Sequence, residues 1–188
     1  MNLLSSNEKV TLLTVARQAL ESAVRGEKLQ PIDLSDLSTT LKEPGSSFVT
    51  LTMKGELRGC IGSLEPSMPL AEDVREHAKA AALDDYRFPP VQPTELPDIQ
   101  IEISYLTAPK PLVYENPGQL SETLRPGIDG VVLMDGFHRA TFLPQVWEKL
   151  PDPEVFLSHL CLKMGAPPNS WKQKKMLVQT YQVEVFHE

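Results

Sequence analysis

The sequence predicts an α+β fold, mainly antiparallel sheet flanked by helices. Three observations carry that expectation. Lys54-Gly55 and Asp135-Gly136 each separate two strand-like runs by a two-residue turn, the signature of a tight hairpin. Apolar residues recur at helical spacing in three segments that do not alternate regularly with strands. The resulting order, α–β–β–α–β–β–β–α–β, has few strand–helix–strand crossovers, which separates it from a parallel-sheet architecture.

The first element opens on Ser5-Ser6-Asn7-Glu8, a capping box with Ser5 as N-cap. Leu12, Leu13, Ala16, Ala19, Leu20, Ala23 and Val24 follow at helical spacing, and Gly26 provides a left-handed stop. Residues 29–41 read as a loop with a short helical turn. Phe48 to Met53 is rich in β-branched and apolar residues and predicts a strand, which Glu56 to Ile61 rejoins as its hairpin partner. The next helix is expected to take Ser67 as N-cap, with Glu72 and Asp73 at its positive end. Its apolar face is Leu70, Val74, Ala78, Ala81 and Ala82, and the alanines imply close approach of a neighbouring element. Ile99, Ile101, Ile103 and Tyr105 alternate as a strand. Val131–Met134 and Phe137–Leu143 flank the second hairpin turn. Asp152-Pro153 starts a helix that buries Phe156, Leu157, Leu160, Cys161 and Met164 and stops at Gly165. A strand around Tyr181, Val183 and Val185 closes the chain.

A length of 188 residues fits one domain spanning 1–188, with room for a small second lobe. The net charge of −7 opposes non-specific binding to nucleic acid and to anionic lipid. Lys172, Lys174 and Lys175 form a local basic group that reads as a solvated face. No apolar run approaches bilayer length. The stretch Met1-Asn2-Leu3-Leu4-Ser5-Ser6 has neither the basic start nor the long apolar core of an export signal. Cys60 and Cys161 are therefore expected to be free thiols of a cytoplasmic protein.

The centre of interest is Leu57-Arg58-Gly59-Cys60-Ile61-Gly62. In an extended strand Arg58 and Cys60 point the same way, and a guanidinium beside a thiol favours the thiolate. Gly59 and Gly62 remove side-chain bulk, so backbone amides there can approach a ligand. The competing interpretation is a glycine-punctuated strand end with an inert cysteine acting as a small apolar residue. Gly59 to Gly62 also matches the four-letter loop of KH modules, but that loop joins two helices and this one leaves a strand. Arg87 is a second candidate, either locking its loop by pairing with Asp85 or adding positive charge to an anion site near Arg58. His77, at the border of the apolar face of the helix that begins a few residues after the motif, is a candidate base for Cys60, and the competing interpretation is a structural histidine. No metal-ligand spacing, phosphate loop or dinucleotide fingerprint appears, and no cofactor is assigned.

Several blocks together resemble the AMMECR-one domain family, which includes the bacterial AmmeMemoRadiSam system protein A. They are Phe48-Val49-Thr50-Leu51, the run from Gly55 to Pro66, Arg87-Phe88-Pro89-Pro90-Val91, Ile101 to Leu106, Thr141 to Val146, and Cys161 to Gly165. The sequence departs from the family pattern at Tyr86, where a smaller residue or proline is usual, and at Met164 and Ala166. The resemblance implies two unequal α/β lobes and a companion Memo-like protein and radical-SAM protein. It implies no established reaction. Two functions follow as expectations: a component of that multi-protein system, or a thiol-dependent enzyme that uses Cys60 with Arg58 in a small anion-binding cleft lined by Gly59, Gly62 and Arg87.

Overall fold

The computed structural model describes residues 4–29 and 31–188. Met1 to Leu3 of the N-terminal stretch, and Gln30 of the predicted 29–41 loop, lie outside the described residues. The chain divides into two compact units, one running to Ala108 and completed by Glu184–Glu188, the other Pro109–Val183. The fold is α+β.

In the first unit, α1 (Ser6–Val24) is held at its start by the capping box, with the Glu8 amide donating to Ser5 Oγ and the Ser5 amide donating to Glu8. A single turn, α2 (Thr39–Lys42), supplies the short helix expected in the 29–41 region. The sheet then forms from β1 (Pro44–Met53), β2 (Glu56–Gly62), β3 (Met68–Pro69), β4 (Ile99–Leu106) and β9 (Val183–His187). Its order is β2-β1-β4-β9, with β3 pairing β1. Both β2 and β4 run antiparallel to β1. Lys54 and Gly55 both take positive φ, as a two-residue turn of this hand requires.

Helix α3 (Leu70–Leu83) starts at Leu70 and not just after Ser67. The reason is that Met68 and Pro69 are spent on pairing with Gly45 and Pro44. Helices α1 and α3 cover one face of the sheet. Leu12, Ala16 and Leu20 of α1 and Val74, Ala78 and Ala81 of α3 are buried with Val49, Leu51, Ile101 and Ile103. Each fully buried leucine, isoleucine or valine side chain among them contributes roughly 1.5–3 kcal/mol.

The second unit holds a sheet of order β5-β8-β6-β7, made by β5 (Lys110–Pro111), β6 (Gly130–Asp135), β7 (His138–Phe142) and β8 (Leu177–Tyr181). The hairpin between β6 and β7 sits one residue later than expected: Asp135 pairs with His138, so Gly136-Phe137 is the turn. Gly136 takes the positive φ, and Phe137 points into solvent. The closing strand of the sequence is two strands, β8 and β9, each in a different sheet. Around this sheet lie α4 (Pro117–Thr123), α5 (Pro153–Lys163) and α6 (Ser170–Gln173). Asp152 caps α5 and Pro153 begins it, as expected. Trp147 stacks on Phe156 at 3.7 Å between centroids, and its indole N–H donates to the Asp129 carbonyl at 2.7 Å.

Candidate functional site

The turn of the first hairpin sets a register that the sequence alone gets wrong by one residue. An unbroken ladder from Lys54-Gly55 would place Arg58 opposite Leu51 and Cys60 opposite Val49, on the face that packs against the helices. Leu51 and Val49 are fully buried, so that register would drive a guanidinium into the core. The strand avoids this with a bulge. Thr52 pairs with Leu57 and Leu51 with Gly59, which leaves Arg58 as the extra residue. Beyond the bulge Gly59 and Ile61 face the helices, while Cys60 joins Thr50 on the opposite face.

The bulge also separates the two side chains that alternation places together. Arg58 turns sideways, away from Cys60, to the segment that follows α3. Its Nε and Nη2 donate to the two oxygens of Glu95 at 2.8 and 3.0 Å, and Nη1 donates to the Pro89 carbonyl at 2.9 Å. The expectation that Arg58 stabilises a Cys60 thiolate rested on plain strand alternation, and the bulge removes that premise.

Because β2 is an edge strand, the Cys60 amide and carbonyl point away from β1. Both are satisfied by side chains. The Cys60 N–H donates to Asp85 Oδ2 at 2.8 Å, and Arg87 Nη2 donates to the Cys60 carbonyl at 3.3 Å. The same guanidinium holds both Asp85 oxygens at 2.9 and 2.7 Å. A turn closed by the Phe88 amide on the Asp85 carbonyl presents the pair. The segment from Asp85 to Glu95 thus straps the open edge of β2, using side chains where a neighbouring strand would use backbone. Of the two readings of Arg87 from sequence, the structure contains the Asp85 pairing.

Burial pushes the Cys60 thiol up from its ordinary range. A hydrogen bond from the Thr50 hydroxyl at 3.3 Å and the charge of Arg87 pull the other way, and Asp85 and Glu102 add to the rise. Arg87, with its hydrogen bonds and those of the Cys60 and Arg87 amides, holds the Asp85 carboxyl down at about 2. Thr50 pairs in register with both Cys60 and Glu102, so Cys60, Thr50 and Glu102 form one cross-strand row.

The two motif glycines are explained by packing. A Cβ on Gly59 would stand 2.1 Å from the Ala81 carbonyl oxygen, so β2 lies directly on the backbone of α3. This is the close approach that the alanine face of that helix implies. A Cβ on Gly62 would meet the Phe48 ring at 2.3 Å and the Ser47 carbonyl oxygen at 2.4 Å.

His77 turns to Asp73 at 3.2 Å, and Asp73 also accepts from the Ser47 hydroxyl at 2.6 Å, so this histidine belongs to a buried polar group of α3 and β1. Cys161 is fully buried in the second unit. Lys172 and Lys174 are exposed and pair with Glu154 and Asp135. Among the described residues no group of three His, Cys, Asp or Glu side chains is placed to hold a metal ion. Sequence reasoning missed Glu95, Thr50 and Glu102. Only Glu95 left a trace, as the third residue after Gln92 in a capping box whose amide it accepts at 2.7 Å.

The model of the AMMECR1 family matches residues 13–186. The chain belongs to the AMMECR1 family. This AMMECR1-family chain is 42% identical over 186 residues to a protein of Methanothermobacter thermautotrophicus, covering 98% of this chain and 96% of that one. It is 36% identical over 195 residues to protein MJ0810 of Methanocaldococcus jannaschii, covering 100% and 94%. Among solved structures it is similar to the uncharacterized protein PH0010 from Pyrococcus horikoshii, with a TM-score of 0.90 and 32% identity over 98% of this chain and 93% of that one. These relatives name no reaction, so the AMMECR1 fold is shared and the chemistry has to be argued from the site. Among the described residues of this AMMECR1 domain, no helix is long and apolar enough to cross a membrane.

Proposed function

We propose that this AMMECR1-family chain acts in the cytoplasm as a binding component of a multi-protein system, the A component alongside a Memo-like protein and a radical-SAM protein. One observation carries this reading: both arginines of the motif region are committed to internal carboxylates that fix the backbone around Cys60. Arg58 is turned away from the sulfur, and the pull of Arg87 on it is outweighed by burial, so the thiol is not held as a thiolate. Here the charges serve to hold an edge strand and its strap in one shape, which suits a preformed recognition surface.

The test is co-purification of the full-length chain with the Memo-like and radical-SAM proteins. Association at micromolar concentration, weakened by Asp85→Ala, supports the reading. Absence of association at that concentration with all three proteins folded counts against it.

A thiol-dependent enzyme with a small-molecule substrate is the second reading. The Thr50 hydroxyl on Cys60 Sγ and the electrostatic pull of Arg87 favour it. In that reading Cys60 attacks, and Arg87, which already reaches the Cys60 carbonyl, receives a bound anion. Cys60→Ser separates the two: a variant that still supports the pathway in cells keeps the binding role and ends the thiol role.

A further inference from the structure

The strap that closes the edge of β2 carries one large side chain that takes no part in closing it. Asp85 and Arg87 hold the Cys60 peptide, the Pro89 carbonyl accepts from Arg58, and the Pro90 carbonyl accepts from the Gln92 side chain at 3.0 Å. The Val91 amide donates to the Ala82 carbonyl at 2.9 Å, which ties the strap to α3. Tyr86 stands between Asp85 and Arg87 and is 94% exposed. Among the described residues no hydrogen bond or ring contact involves its side chain. An aromatic ring left in water adds nothing to a fold, whereas the same ring seated in a partner's pocket is the kind of group that dominates binding energy.

The neighbours of Tyr86 have the other properties of such a centre. Arg87 bonds Asp85 and the Cys60 carbonyl through Nε and Nη2. Its Nη1 takes no part in these bonds, and the side chain is 45% exposed. The guanidinium carbon stands 5.5 Å from the centre of the Phe88 ring, which supports it from the chain side. The patch is also fixed in shape before anything binds, because the Phe88 amide closes its turn and the Asp85 carboxylate beneath is nearly fully buried. Little conformational freedom remains to be lost on docking.

Charge says what kind of surface fits against it. The first unit holds 18 of the 25 acidic residues and 10 of the 18 lysines and arginines, so the acidity of the chain is concentrated there. At the strap, Arg58 and Arg87 are matched by Glu95 and Asp85. The exposed charges next to these pairs in the chain are Asp84 and Glu56 against Lys54, a negative balance. A surface of this sign steers and holds a partner of the opposite sign. We infer that the strap is the docking surface for a protein partner with a basic face. The Tyr86 ring fills an apolar pocket of that partner, and Arg87 Nη1 donates to a carbonyl oxygen at the pocket's edge. This rests on the binding role proposed above and names the surface that carries it.

The experiment is surface plasmon resonance of the full-length chain against the purified Memo-like protein and the purified radical-SAM protein, at low and at high salt. Tyr86→Ala is expected to weaken the complex by about 30-fold or more, the loss of one dominant interface residue, and Tyr86→Phe to keep most of the affinity. Phe137→Ala, which removes another fully exposed ring in the second unit, is expected to leave the affinity unchanged. Rising salt is expected to slow association, and Asp84→Asn to slow it at low salt. Tyr86→Ala breaks no bond of the strap, so its thermal midpoint is expected to match that of the unaltered chain. A complex that Tyr86→Ala leaves as tight, that Phe137→Ala weakens as much, or that forms faster at high salt overturns this inference and leaves the binding role standing. No complex of the unaltered chain with either protein overturns both. Self-association of the chain that Tyr86→Ala abolishes assigns the ring to a second copy and overturns the basic partner.

Discussion

The Asp85 carboxylate accepts the backbone N–H of Cys60 at 2.8 Å, so the centre of the motif is bound to the strap through its peptide and not through its thiol. Asp85 is nearly fully buried and carries two jobs at once, satisfying that amide and neutralising Arg87. Asp85→Ala removes both and leaves a donor of an edge strand without a partner. The expected cost is about 2–3 kcal/mol, against about 1 kcal/mol for Asp85→Asn, which keeps an oxygen for the amide. Urea midpoints of the two variants check the ranking.

The same residue sets an acid limit on stability. Its carboxyl titrates near 2 in the folded chain against an ordinary 3.8, so its folded form is depressed. A depressed carboxylate stabilises the fold above the unfolded value and loses that contribution as pH falls through the folded value. The contribution, on the order of 2 kcal/mol, is therefore complete above about pH 4 and lost between about pH 4 and pH 2. Glu8 acts in the same window, because Ser38 and Ser5 hold it at about 2 from 4.5. Asp85→Asn is expected to flatten part of the acid unfolding curve, and Asp85→Asn with Glu8→Gln to flatten more. An unchanged pH slope in the double variant would contradict the assignment.

The motif glycines are expected to tolerate alanine in a fixed order. At Gly59 the added carbon meets a helix carbonyl at 2.1 Å, and neither backbone can retreat without moving β2 off α3. Gly59→Ala is expected to cost about 3 kcal/mol or to prevent folding. At Gly55 nothing lies within 4 Å, and only its φ of 82° is disfavoured, so Gly55→Ala is expected to cost about 1 kcal/mol. Thermal midpoints of the two variants measured side by side decide this, and equal losses would mean that β2 does not rest on the helix backbone.

Much of the fold was legible because local signals agreed with the final structure. The Ser5–Glu8 box, the alternation from Ile99, the alanine face of α3 and the Asp152-Pro153 start all act within a few residues. What stayed hidden depends on distant partners. The short pairings of Met68-Pro69 with β1 and of Lys110-Pro111 with β8 have no periodicity to read. In the candidate site the sequence located the motif but misdirected Arg58. The bulge that re-aims it is driven by Leu51 on the facing strand, and its partner Glu95 lies 37 residues away. Asp85 and Arg87 were visible as a pair, while their grip on the Cys60 peptide needed the sheet edge to be known.

The two arginines are expected to act differently on the Cys60 thiol, and iodoacetamide alkylation against pH can separate them. Burial raises the thiol, so its alkylation midpoint is expected above that of a free cysteine. Arg87 lowers it, whereas the Arg58 guanidinium is turned to Glu95 and Pro89. Arg87→Gln is therefore expected to move the midpoint upward, since it also leaves the Asp85 charge uncompensated beside the sulfur. Thr50→Val, which removes the hydroxyl donor, is expected to move it the same way. Arg58→Gln is expected to leave the midpoint in place while weakening the strap, because its guanidinium is spent on Glu95 and Pro89. Peptide mapping keeps the readout on Cys60, as Cys161 is fully buried. If Arg58→Gln raises the midpoint as far as Arg87→Gln does, Arg58 reaches the sulfur after all, and the thiol reading of the site gains what the strap reading loses.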